Sequence, residues 1–83
     1  LQMANNYMVK VTVGNNVKRE TVIVESTETL RTTLENAQID YTRGMTTLDG
    51  TTLAAGALDK TYAEHGITEK CFVLNVVKAD NAA

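Results

Sequence analysis

A single cysteine and a single histidine stand among the 83 residues. One cysteine closes no internal disulfide, and the two together cannot supply any of the usual four-ligand zinc sets. Packing alone must hold the chain, with no cofactor. An excess of one charge is also missing: 8 basic residues against 10 acidic ones leave a formal net charge of -2. With no broad positive field to draw in a phosphate backbone, nucleic acid is disfavoured as a partner. No apolar run approaches the roughly 20 residues that cross a bilayer, so no membrane partner is expected. The start Leu1-Gln2-Met3-Ala4-Asn5-Asn6-Tyr7 lacks the basic end and apolar stretch of a signal peptide. These absences lead to the expectation of a reduced, cytoplasmic setting.

What is present is a globular balance, 43% hydrophobic and 22% charged, in a length that supports one core and one domain. Met3 and Met8 are both plausible starts, so residues 1–7 read as an N-terminal arm, 8–78 as the domain and 79–83 as a flexible tail. Met8–Val13 alternates with a period of two, placing Val9, Val11 and Val13 on one face. Gly14-Asn15-Asn16 tolerates positive φ and predicts a tight turn into a second strand, Val17–Glu25. Val22 and Val24 share the inner face there, and Ile23 points away. Ser26-Thr27-Glu28-Thr29 opens a helix to about Gln38, with Leu30, Leu34 and Ala37 on its apolar face.

Thr46-Thr47-Leu48 and Thr51-Thr52-Leu53 flank Asp49-Gly50, a pair suited to a type I′ hairpin with Gly50 at positive φ. Ala54–Ala57 reads as loop, and Leu58–Gly66 as about one helical turn closed by Gly66 in the left-handed cap position. Ile67 docks after it. Cys71–Val77 is β-rich and reads as a central strand with Phe72, Leu74 and Val76 facing inward. The expected core is Val9, Val11, Val22, Val24, Leu30, Leu34, Leu53, Ile67, Leu74 and Val76.

Hairpin, helix, short hairpin, one-turn connection and last strand, in that order, resemble the ubiquitin-like β-grasp family. So do the local stretches Val24–Leu30, Leu48–Leu53 and Leu58–Ile67, and the likeness covers roughly Met8 to Val77. The resemblance implies an α+β fold, a mixed sheet of four to five strands crossed by one main helix, with first and last strands pairing in parallel. It also exposes departures. Conjugated and sulfur-carrying members end in Gly-Gly, whereas this chain ends Lys78-Ala79-Asp80-Asn81-Ala82-Ala83, which predicts a tail that is neither adenylated nor joined in an isopeptide bond. The positions matching the family's apolar recognition patch read as Thr47, Asn75 and Val77, and only the last is apolar. Ferredoxins of the same topology need four cysteines, so an iron–sulfur role is excluded.

No constellation of catalytic residues stands out. His65 beside Glu64 sits at a helical turn where sequence neighbours point apart, Cys71 opens an apolar strand, and Glu25, Glu28 and Asp40 lack the spacing of a calcium loop. Lys10, Lys18 and Arg19 form a small basic spot, with Arg43 apart. The expected function is a non-enzymatic, ubiquitin-like protein-interaction module of an intracellular, bacterial or mobile-element system. The alternatives are a modifier or sulfur carrier with an atypical C-terminus, and a structural subunit of a larger assembly. In the β-grasp order the second strand is an edge, as in small-modifier members that accept an added strand, so Val17, Lys18, Arg19, Thr21 and Ile23 are the expected contacts for a protein partner or a homodimer.

Overall fold

The computed structural model describes residues 6–77. The expectations for the start of the arm and for the tail lie outside them. Strands β1 (Met8–Gly14), β2 (Arg19–Glu25), β3 (Met45–Leu48), β4 (Thr51–Thr52) and β5 (Lys70–Val76) form one five-stranded sheet in the order β2-β1-β5-β3-β4. Helix α1 (Leu30–Asn36) and a 3-10 turn (Ala55–Asp59) lie between strands in the chain. β1 pairs antiparallel with β2 and parallel with β5, and β3 runs antiparallel to both β5 and β4. A parallel pair cannot be joined by a tight turn, so everything between β1's hairpin and β5 serves as the crossover. The result is an α+β fold, a mixed sheet grasping one helix, as the order of elements predicts.

One face of the sheet holds the core. Val9, Val11 and Val13 of β1 meet Leu30 and Leu34 of α1, and all five are fully buried. Val22, Val24, Leu53 and Ile67 pack against this cluster half-buried. Tyr7 does so too, its hydroxyl donating to the Ile67 carbonyl at 2.6 Å, so the packed chain includes this residue of the expected arm.

In β5 the outcome reverses the expected phase: Cys71, Val73 and Asn75 face inward and are buried, whereas Phe72 is 48% exposed, Val76 41%, and Leu74 half-buried on the outer side. Cys-Phe-Val-Leu-Asn-Val-Val carries apolar residues at both parities, so hydrophobicity does not select a face. Pairing does: Val11 aligns with Cys71 and Val13 with Val73, and aligned neighbours share a face. Asn75 is accommodated because its Nδ2 donates to the Arg43 carbonyl at 2.9 Å and to Thr46 Oγ1 at 3.2 Å.

Two turns also differ from expectation. The first uses no left-handed residue. The Asn15 N–H donates to the Lys18 carbonyl at 2.9 Å, while Asn15 Oδ1 accepts from the amides of Val17 and Lys18, so the side chain organises a longer loop and β2 starts at Arg19. A 3-10 turn forms earlier than expected, at Ala55–Asp59, and the turn closed by Gly66 is shorter than expected: the His65 amide donates to the Thr61 and Tyr62 carbonyls and the Gly66 amide to that of Ala63, while the Tyr62 and Ala63 amides donate instead to the carbonyls of Glu28 and Ser26. Asp49 and Gly50 at φ 52° and 88°, and Gly66 at 78°, do adopt the expected left-handed conformations. α1 stops at Asn36, two residues before its expected end, with Gln38 at φ 62° and the Ile39 amide donating back to the Leu34 carbonyl.

Leu34→Ala is expected to lower the unfolding free energy by about 2–5 kcal/mol, as a void at the helix–sheet seam would. Gly50→Ala is expected to cost about 1 kcal/mol from the positive φ alone. Gly44→Ala should cost more, because at φ 72° its added Cβ would also meet the Val76 carbonyl. Urea unfolding of the three variants tests the ranking.

Candidate functional site

Alternation in β1, β3 and β5 sends Thr12, Met45, Thr47, Phe72, Leu74 and Val76 to the face opposite α1. Register then brings the apolar ones together: Met45 lies opposite Val76, Leu74 sits between Gly14 and Thr47, and Phe72 aligns with Thr12. Met45, 51% exposed, extends the row Phe72, Leu74 and Val76 at its Val76 end, and no described element packs on this apolar strip.

The β1–β2 loop borders one end of the strip. Gly14 contributes no side chain to the row that contains Leu74, and a Cβ there would strike the Lys18 carbonyl and the Arg19 side chain. The notch becomes a groove lined by Asn15, Asn16, Val17, Lys18, Arg19, Leu74 and Val76. Asn16 fixes the loop in place: its Nδ2 donates to the Val77 carbonyl at 3.2 Å and its Oδ1 accepts from the Val77 amide at 2.8 Å. Val17, 88% exposed, is thereby held at the rim. Lys18 and Arg19 stand beside it, and Lys10 aligns with Lys70 at the opposite end of the face.

The expected contact residues are all exposed, but they divide between two places. Val17, Lys18 and Arg19 line the groove at the apolar strip, whereas Thr21 and Ile23 continue along β2, with Ile23 opposite Lys10 and diagonal to the exposed Met8. Met45 was missed because the third strand was read from Thr46, and Phe72, Leu74 and Val76 because the expected phase of β5 was reversed. For the same reason Asn75, expected at a patch position, is buried, and its neighbours Leu74 and Val76 face outward.

The remaining polar groups serve the fold. The His65 ring donates from Nε2 to the Ala57 carbonyl at 2.8 Å, while Glu64 accepts from the Thr61 amide at 2.8 Å, so the two do not act on one another. Glu28 accepts from the Thr33 hydroxyl at 2.8 Å, which itself accepts from the buried Tyr62 hydroxyl at 2.7 Å. Burial raises the Tyr62 phenol above its ordinary range. Thr42 binds Asp40 through its hydroxyl and its amide, and both bonds lower the Asp40 carboxyl. Burial, and secondarily the charge of Asp49, pushes the Cys71 thiol up to about 12, which opposes thiolate chemistry near neutral pH.

No family model matches the chain, and no curated protein sequence matches it. Among solved structures it is similar to an Arabidopsis thaliana protein determined by combining evolutionary couplings with sparse NMR data, with a TM-score of 0.56 and 29% sequence identity, over 92% of this chain and 93% of that one.

The Cys71 shift sets an alkaline limit. The folded state holds the thiol proton more tightly than the unfolded chain, so this contribution is whole below about pH 9 and is lost as pH rises from there through about 12. Urea midpoints are expected to fall across that window. The fall should be shallower in Cys71→Ala, measured against its own value at neutral pH.

Proposed function

We propose that this chain is a non-enzymatic, ubiquitin-like protein-interaction module that binds through the open face of its sheet. The observation that carries the reading is the strip of Met45, Phe72, Leu74 and Val76, brought together from two strands and exposed to solvent. A polar outer face would serve a monomer better. Contiguous apolar surface rimmed by polar and charged groups marks a place where another molecule sits. The element order, the motifs at Val24–Leu30 and Leu48–Leu53, and the strand order β2-β1-β5-β3-β4 support the ubiquitin-like assignment.

The chemistry of the face gives a division of labour. Phe72, the chain's one phenylalanine, and Val76 supply area that is desolvated on contact. Lys10, Lys70, Lys18 and Arg19 flank the strip and steer orientation rather than supply most of the affinity. Thr47 and Thr12 add hydroxyls between the two.

Phe72→Glu with Val76→Glu is expected to leave the unfolding midpoint close to that of the unaltered protein, because both side chains are already partly in water. The same double variant should abolish capture of the proteins that the unaltered chain retains from a lysate of its source cell, quantified by mass spectrometry, and amide shifts on adding a captured partner should centre on β5 and β3. Equal retention by the double variant would overturn the assignment of the face.

A further inference from the structure

The free edge of β2 has a chemical pattern of its own. β2 is the terminal strand of the sheet and seven residues long, Arg-Glu-Thr-Val-Ile-Val-Glu. Its backbone polarity follows from the bonds that flank it. The Asn15 amide donates to the Lys18 carbonyl and the Ser26 amide to the Tyr7 carbonyl, at 2.9 and 2.8 Å, and both pairs continue the β1–β2 register. Bonded and non-bonded pairs alternate in an antiparallel ladder, so Glu20, Val22 and Val24 turn their amides and carbonyls toward β1. Arg19, Thr21, Ile23 and Glu25 therefore present theirs to the open edge.

We infer that this edge pairs antiparallel with β2 of a second copy of the chain, about a two-fold axis at Val22, joining two sheets into one. In this register Arg19 lies opposite Glu25 of the second copy and Thr21 opposite Ile23 of the second copy, with both relations repeated by symmetry. Every residue with an edge-directed amide meets another of the same kind, which an antiparallel ladder requires. Opposite charges face one another twice on the outer side. On the inner side Val22 meets Val22 of the second copy, adjoining the half-buried Val24 and the buried Ala37 in each groove between β2 and α1. Ile23, 65% exposed in the single chain, becomes diagonal to its own counterpart, within reach of a side chain of that size.

Charge complementarity selects both the occupant and the register. Sliding the second copy by two residues one way sets Arg19 against Ile23, and the other way leaves it beyond the end of the strand, so either shift loses both ion pairs and shortens the ladder. Edge strands that resist self-pairing carry like charges that would face each other. Here the end charges are opposite, and antiparallel pairing brings opposite ends together. The apolar strip on β5 and β3 stays open in the joined sheet, and Arg19 at the rim of its groove is the residue that the pairing and the proposed binding face share.

Sedimentation velocity of the full chain from micromolar to millimolar concentration tests the pairing. The unaltered protein is expected to shift from monomer to dimer across that range. R19E and E25R, both changes of exposed side chains, should each weaken association about tenfold by placing like charges opposite one another twice. The R19E/E25R double variant, with the net charge unchanged, should associate as the unaltered chain does, and amide exchange at Thr21 and Ile23 should slow as dimer forms. A protein monomeric throughout the range would overturn the inference, and so would a dimer indifferent to R19E or one that the double variant fails to restore.

Discussion

One helix of seven residues has to cover a sheet of five strands, and most of the structure answers that disproportion. Such a helix is only about 10 Å long. Leu30 and Leu34 seal the region over β1, and the rest of the cover comes from irregular chain: Ile39 after the helix, Leu58 in the 3-10 turn, and Tyr62 beyond it, all buried. Irregular chain brings backbone groups that need partners. The Tyr62 and Ala63 amides find them in the carbonyls of Glu28 and Ser26, so the covering loop is tied to the strand-to-helix turn. The Tyr62 hydroxyl, donating to Thr33, ties it to the helix as well.

Covering one face uses the described elements and leaves the other face open among the described residues. The outer residues are therefore free of any packing duty, which makes their identities informative. Thr12 and Thr47 are ordinary for such a position, but Met45, Phe72, Leu74 and Val76 are not, since none contributes to the buried cluster that holds the chain together. Buried and outward-facing positions are divided between the two sides of the same strands. Cys71, Val73 and Asn75 answer to the core, and the residues between them turn to the open face.

The fold was legible in the sequence where chemistry was local. Alternation in Met8–Val13, the leucine spacing of α1 and the Asp49-Gly50 pair each depend on neighbours in the chain, and each element forms in its expected place, α1 ending two residues early. The outward apolar strip was not legible because its main strand has apolar residues on both sides. The side that faces the core is set by pairing with β1, more than fifty residues away, a non-local relation that no property of Cys71–Val77 encodes. The first turn failed for a different reason. Gly14 is required there by the close approach of Lys18 and Arg19, not by a left-handed backbone, and composition does not separate those two uses of glycine.

β5 occupies the middle of the sheet yet comes last among the described elements. A ribosome delivers the chain in the other order, so the β1–β2 and β3–β4 hairpins emerge with the strand that joins them still unmade. Until about residue 76 has cleared the exit, the inner edge of β1 is unpaired and its valines lack half of their sheet neighbours. The sheet of this domain therefore closes only once β5 has emerged, and until then the nascent chain must remain soluble with its centre missing.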